Sequence, residues 1–326
     1  MLYNSSRGAN IEEGIRNFVV NFIIQNSSSE ENLKTQRALL NKLNLVLVSI
    51  LKQEWPHNWP NFINEIISAC HTSLSICENN MAILRLLSEE VFEFSADQMT
   101  STKTRNLKAS MCSEFASIFK LCQEVLATAN QPSLIKTTLE TLLRFLNWIP
   151  LGYIFETSII ETLRSRFLEA PEFRNVTLKC LTEIGGLQIG SAYAFDEKLV
   201  SMFTETLATV SRIVPLAVEL KSEYPRSNSR DQEFIQNLAL FLDSFFSKHL
   251  SVGDMGDSFF AGTDGNSSSK IFQIGISSNM ATFTFSASPR SRTGKYSRFA
   301  WSIGRSLSAS CMKRCKRFQS PISTLL

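Results

Sequence analysis

Thr35–Glu54 reads TQRALLNKLNLVLVSILKQE, with leucines at Leu39, Leu40, Leu43, Leu47 and Leu51. Steps of three and four residues place these side chains on one broad face of an α-helix. The pattern stops at Trp55-Pro56, because proline lacks an N–H and its ring clashes with a continuing helix. Outward from here the same signature recurs. Upstream, about Ile11–Gln25 carries Phe18, Val19, Phe22 and Ile23. Downstream, Asn61–His71 carries Phe62, Ile63, Ile66, Ile67 and Cys70 on one face, and Glu78–Phe94 carries Met81, Leu84, Leu87, Val91 and Phe92. Arg105–Ala127 and Ser133–Trp148 follow, the second opened by Pro132 and broken by Pro150 and Gly152. Ser158–Leu168, then Glu172–Ile184 with a Gly185-Gly186 cap, continue the series. Asp196–Leu220, with a kink or break predicted near Pro215, and Asp231–Leu250 complete it.

Taken in pairs, the first helices start near residues 35, 78, 133, 172 and 231, at spacings of 43, 55, 39 and 59. Helix-pair repeats of the HEAT and armadillo type have periods of about 40–47 with loop insertions. The fold predicted is all-α, an α-solenoid of HEAT-type antiparallel helix pairs, incomplete at both ends and followed by an irregular tail. A single compact helical bundle is the competing architecture. Residues 1–250 form the partial solenoid and 251–326 the tail. An open end leaves apolar faces without a neighbour, so Leu238, Leu242 and Phe245 are expected to lack the next repeat to pack on, and the isolated chain to be less stable than its helix content suggests.

Charge divides the chain at the same place. The net +3 of the 326 residues conceals a net +7 in residues 251–326, which hold ten Lys+Arg against three acids, and a net −4 in residues 1–250. The start MLYNSSRGAN lacks the basic and apolar regions of a secretory signal. The longest apolar stretch, Leu43–Leu51, is about half of the ~18 residues that cross a bilayer. Seven scattered cysteines, mostly within helical patterns, read as small buried apolar residues in a reducing compartment.

Catalytic constellations are missing from the sequence. Around Gly294-Lys295, Pro289 stands where a phosphate loop needs its first glycine, and Tyr296 where it needs Ser or Thr. Cys70-His71 with Cys77 matches no standard zinc spacing and lacks a fourth ligand. Glu89-Glu90 are adjacent on a helix and point different ways. No enzyme activity, metal or cofactor is expected.

Several stretches then carry a family resemblance: Asn41–Trp59 (NKLNLVLVSILKQEWPHNW), Asn79–Phe94 (NNMAILRLLSEEVFEF), Leu139–Thr157 (LETLLRFLNWIPLGYIFET), Phe173–Ile184 (FRNVTLKCLTEI) and Phe234–Leu242 (FIQNLALFL). They resemble the exportin-1 family of nuclear export receptors, within the importin-β (karyopherin) superfamily, from about Gly14 to Leu250. The resemblance implies a superhelical array of HEAT repeats that binds the GTP form of the small GTPase Ran. Cargo with a leucine-rich export signal binds with it, and the complex passes the nuclear pore and dissociates on GTP hydrolysis. It implies shuttling between nucleus and cytoplasm, with nucleoporins as possible further partners. In the family, part of the Ran-contacting arch lies in the N-terminal repeats. The cargo groove lies in the middle of the full-length receptor, beyond this likeness. The chain is accordingly expected to start inside the first repeat and to cover about a third of the receptor or less.

The family's second helices face inward, which here implies Ile11–Gln25, Asn61–His71, Arg105–Ala127, Ser158–Leu168 and Asp196–Leu220. Once apolar positions are assigned to packing, Asn64, Glu65, Lys103, Arg105, Lys108, Glu114 and Lys120 remain. The first six are the candidate Ran contacts in a polar, salt-sensitive interface; the alternative is a solvated helix face. Trp55 and Trp59 read as core residues of a turn between paired helices, rather than as a peptide-recognition motif. Trp148-Ile-Pro150 repeats that device. A helical-repeat scaffold without a transport role is the alternative function.

The tail has 17 serines, seven of the 13 glycines and no Glu. Three readings compete: a disordered basic extension ending in the targeting-like cluster Lys313-Arg314-Cys315-Lys316-Arg317, a small folded domain, or an out-of-frame or unspliced segment. The last is preferred. Phe259, Phe260, Phe272, Phe283 and Trp301 are too apolar for a solvated tail, and no sustained period accompanies them. Neither membrane nor direct nucleic-acid binding is expected.

Overall fold

A computed structural model describes residues 2–94, 101–188, 195–213, 224–249, 270–274 and 283–287, with side chains described from residue 13 onward at the N-terminus. The chain divides into two compact units, Met1–Ile159 and Ile160–Leu326.

The first unit contains α1 (Leu2–Ser27), α2 (Glu30–Thr35), α3 (Arg37–Glu54), α4 (Phe62–Cys70) and α5 (Leu74–Glu89). It continues with α6 (Ser101–Ser113), α7 (Phe115–Thr128), α8 (Pro132–Phe145) and α9 (Leu151–Phe155). The helix predicted from Thr35 instead starts at Arg37. Ser29, in extended conformation, caps the separate α2 by accepting the Asn32 N–H at 3.2 Å. The single helix predicted over Arg105–Ala127 is likewise two, joined at Glu114. Pro132 sits at the start of α8, where its missing N–H has no partner to lose.

Repeat stacking is visible in the polar contacts between first helices. From α3 to α5, Asn44 and Asn79 exchange amide hydrogen bonds at 2.9 and 3.2 Å, and Lys52 Nζ reaches Glu90 Oε2 at 2.6 Å, in the π-helical turn Glu90–Phe94 that extends α5. From α5 to α8, Ser133 donates to Glu78 at 2.6 Å, Thr141 donates to the Met81 carbonyl at 2.9 Å, Arg85 pairs with Glu140, and Arg144 pairs with Glu89 at 2.9 Å. Partner numbers rise together along both helices, so these first helices run parallel, 35–38 residues apart in the first step and 55–60 in the second. Between them lies a core of fully buried Leu40, Leu51, Met81, Leu84, Leu134, Leu139 and Leu142. Each large aliphatic side chain so buried contributes roughly 1.5–3 kcal/mol relative to solvent exposure.

The boundary falls within α10 (Ile159–Thr162), which a π-helical turn (Leu163–Phe167) continues; the second unit then holds α11 (Arg174–Gly185), α12 (Asp196–Ile213) and α13 (Ser229–His249). Here too the first helices, α11 and α13, run parallel: Lys179 pairs with Glu233 at 2.7 Å, Ser244 donates to the Thr182 carbonyl at 3.3 Å, and His249 Nε2 lies 2.8 Å from the Gly185 carbonyl. Gly186 suits this approach, since a Cβ there would lie 2.6 Å from Ser244 Oγ and would push that hydroxyl aside. Leu238, Leu242 and Phe245 do not lack a surface to pack on. All three are buried, and Phe245 stacks on Phe203 of α12 at 3.9 Å between ring centroids. They face back onto the preceding pair, with Leu240 left outward.

The fold class is thus the all-α helical repeat that the spacing predicts. One detail differs from the tail as read in sequence: β1 (Lys270–Ile274) and β2 (Phe283–Ala287) pair antiparallel, Phe272 opposite Phe285. Phe283-Thr-Phe-Ser-Ala alternates apolar and polar with period two, a signal too short to register as a sustained pattern. The kink expected at Pro215, the Lys313–Arg317 cluster and the remaining tail lie outside the described residues.

Candidate functional site

The candidate contacts fall on second helices of the first unit. In α4, Phe62, Ile63, Ile66 and Cys70 are buried, which turns Asn64 and Glu65 outward to solvent. Asn64 is exposed, with no side-chain hydrogen bond among the described residues, whereas Glu65 is engaged: its Oε2 accepts from Trp59 Nε1 at 2.9 Å. That indole meets Phe62 edge-on at 5.0 Å and carries the Arg16 guanidinium 4.9 Å above its ring. Arg16 in turn pairs with Glu54 at 2.9 Å and Glu13 at 3.6 Å. Charge and ring thereby join α1, the α3–α4 turn and α4 in one cluster, with a cation–π term of about 0.5–1 kcal/mol at this partial exposure.

On α6, Arg105 is exposed and in no ion pair among the described residues. Lys108 is half-buried. Its ammonium lies 5.7 Å from the Trp148 ring and 5.9 Å from the Phe92 ring, which stack on each other at 4.3 Å and 15°. Phe92 leans in turn on Phe115, which meets Phe145 edge-on at 5.7 Å. Glu114 is half-buried at the α6–α7 joint, its carbonyl accepting the Ile118 N–H at 3.1 Å. Lys120 pairs with Glu124 at 3.8 Å on the exposed face of α7. Lys103 belongs to α6, but its side chain lies outside those described. α4 packs on α7, and α6 leads directly into α7. Asn64 and Glu65 therefore lie on α4, which packs on α7, while Arg105 and Lys108 lie on α6, which leads into α7 through Glu114.

The tryptophans divide. Trp55 is buried as predicted, with no hydrogen-bond partner for its Nε1 among the described residues, and Trp59 is half-buried. Trp148 is 45% exposed and not a core residue. Phe145, Leu146 and Ile149 take the inward positions of that turn and displace it to the outside. The Lys108–Trp148 contact joins residues 40 apart in sequence, and neither residue signals the other.

Cys70, Cys77, Cys122 and Cys180 are buried, but Cys112 is exposed, which corrects its reading as a core residue. Burial pushes the Cys122 thiol up to about 12, with the nearby Cys77 adding to the effect. Among the described residues, no group of three His, Cys, Asp or Glu converges as a metal site, and no helix is long and apolar enough to cross a membrane.

Residues 36–181 match the family described as exportin 1-like protein. The chain is 59% identical over 237 residues to Exportin-1 of Schizosaccharomyces pombe, covering 73% of this chain and 22% of that protein. It is 50% identical over 237 residues to Exportin-1 of Drosophila melanogaster, with the same coverage. Protein EXPORTIN 1B of Arabidopsis thaliana is 45% identical over 240 residues, 74% of this chain and 22% of that protein. The chain thus spans about a fifth of the length of the curated relatives it matches.

Proposed function

We propose, from the premise that the helical array of this chain belongs to the exportin-1 family, that it supplies part of the Ran-binding surface of a nuclear export receptor. Identity of 59% over the helical array is the observation that carries this reading, because it extends over whole repeats rather than a short motif. The receptor shuttles between nucleus and cytoplasm and passes the nuclear pore by contacts with nucleoporins. Its leucine-rich-signal cargo is bound elsewhere in the full-length protein. The role is binding, not catalysis.

On this proposal, Ran-GTP meets the second helices through Asn64, Glu65, Lys103, Arg105, Lys108 and Glu114. Their chemistry supports it: exposed amide and carboxylate groups on α4 and an exposed guanidinium on α6 suit a polar interface in which charge sets orientation and association rate. Such contacts weaken with salt.

The test is a pull-down of GTP-locked and GDP-loaded Ran by the 326-residue chain. Preferential capture of the GTP form, reduced by Arg105→Glu, is the expected result. Equal capture of both forms, or none, removes Ran recognition from this chain and leaves the helical-repeat scaffold.

A further inference from the structure

Of the Phe, Tyr and Trp side chains described, Phe18 and Trp148 alone are exposed, and only Trp148 has a cation against its ring. The indole is held in place. The Trp148 backbone N–H donates to the Phe145 carbonyl at 2.9 Å in the turn that closes α8, and the ring stacks on the buried Phe92 at 4.3 Å and 15°. Lys108 Nζ lies 5.7 Å from the Trp148 ring and donates to the Phe92 carbonyl at 3.5 Å. A Trp side chain presents up to about 250 Å², so the 45% left in water is on the order of 100 Å², on a group with little rotamer freedom left to lose on binding. The helix beside it supplies charge of one sign. α6 contains Lys103, Arg105 and Lys108 and no Asp or Glu, and residues 146–155 of the turn and α9 contain no charge. Arg16, Lys34, Arg37, Lys52, Arg85 and Arg144 each pair with a carboxylate, whereas Arg105 and Lys108, one turn apart on α6, are in no ion pair among the described residues.

Resting on the Ran assignment, we propose that Trp148 is a further contact residue, and that Ran meets it with an acidic side chain set beside an apolar one: the carboxylate takes the Lys108 ammonium and the apolar group covers the indole. Two observations select that chemistry. The first is charge: a surface with cations on α6 and none of their opposites there is complementary to an acidic partner. The second is the indole. Polar contacts such as Asn64, Glu65 and Arg105 set orientation and rate, while most of the affinity of an interface comes from a few large side chains that lose water, Trp foremost among them. Trp148 is the large side chain that adjoins the polar contacts, through Lys108. A nucleic acid fits less well. Phe92 already occupies one face of the indole, and residues 1–250 carry a net −4, which opposes a polyanion but not a single carboxylate placed against Lys108.

The test is the Kd of GTP-locked Ran for the 326-residue chain, measured from low to high sodium chloride. Trp148→Ala is expected to raise Kd at least tenfold at every salt concentration and to leave the salt slope as it was, because it removes apolar contact and no charge. Trp148→Phe keeps a ring on Phe92 and recovers Kd to within about threefold of the unsubstituted chain. Lys108→Met raises Kd at low salt and flattens the salt slope, whereas Lys108→Arg keeps both. The opposite split of the two sites, salt-independent at Trp148 and salt-dependent at Lys108, is one that a loss of local packing does not produce. Circular dichroism checks helix content. If Trp148→Ala does not fold, Trp148→Leu replaces it and is expected to raise Kd at least threefold. Ran-GTP binding that Trp148→Ala leaves unchanged, or a salt slope that Lys108→Met leaves unchanged, overturns the proposal while the Ran assignment stands. Failure of the unsubstituted chain to bind Ran-GTP overturns both. An oligothymidine strand that binds more tightly than Ran, and is lost with Trp148→Ala, assigns the indole to nucleic acid and likewise overturns the proposal.

Discussion

The Asn44–Asn79 pair gives the most direct measure of how the repeats hold one another. Both amides are buried, at 0% and 4% exposure, and they exchange two hydrogen bonds at 2.9 and 3.2 Å between α3 and α5. Asn44→Ala removes both bonds and strands the Asn79 amide away from water. A neutral hydrogen bond contributes about 0.5–1.5 kcal/mol net, and an abandoned buried polar group costs about 1–3 kcal/mol. Asn44→Ala is therefore expected to destabilise the first unit by about 2–4 kcal/mol, and Asn79→Ala by a similar amount. Replacing both by Leu removes the stranded partner, and since the shapes are alike the double variant should lose less than either alanine variant. Urea unfolding followed by tryptophan emission is the assay, in a chain with Trp301→Phe, because the other three tryptophans, Trp55, Trp59 and Trp148, lie in the first unit. With Asn44→Leu and Asn79→Leu as the single variants of the cycle, a double Leu variant that loses the sum of their two losses, within about 0.5 kcal/mol, would mean that the two amides do not interact, and the reasoning fails.

Further outcomes follow from other contacts. Gly186→Ala forces a Cβ to within 2.6 Å of Ser244 Oγ and should destabilise the second unit by about 1–2 kcal/mol, with Ser244→Ala in the same chain recovering most of it in urea unfolding. Glu90→Gln leaves the buried Lys52 ammonium without its 2.6 Å carboxylate and should destabilise by about 1–3 kcal/mol, less if Lys52→Met accompanies it. Maleimide should modify Cys112 well before Cys70, Cys77, Cys122 or Cys180, as read by peptide mass spectrometry; simultaneous labelling would refute the buried assignments. The pH dependence has a defined sign. The folded chain holds the Cys122 proton to about pH 12, whereas the unfolded thiol releases it near 9.0. The folded state then binds more protons above pH 9, so stability contributed by this group falls as pH rises from 9 towards 12, and Cys122→Ala flattens that slope.

Much of the architecture is legible because helix periodicity and repeat period survive in the apolar positions alone. The predicted spacing of 55 from the second to the third first helix reappears as the separation of Glu78 from Ser133 and of Arg85 from Glu140. Where prediction departs, the cause is local competition. Gln36 and Glu114 interrupt helices whose apolar pattern runs straight through them, because the pattern records which face is buried, not where the backbone turns. Phe245 points back rather than forward, which no period distinguishes. At the candidate site, the outward position of Asn64 and Glu65 follows from the buried Phe62, Ile63 and Ile66. The seat of Lys108 does not, since it depends on the turn at Trp148 displacing an indole that hydrophobicity alone assigns to the core.

That same indole has an optical consequence. Trp148 lies half in water with an ammonium 5.7 Å from its ring, and indole emission responds to the electric field of a nearby charge. A carboxylate arriving from a bound partner would draw Lys108 towards itself and away from the ring. The colour of the light from Trp148 then reports occupancy of the proposed contact surface, without a dye, from a chain in which Trp55, Trp59 and Trp301 are replaced by Phe to leave its signal in view.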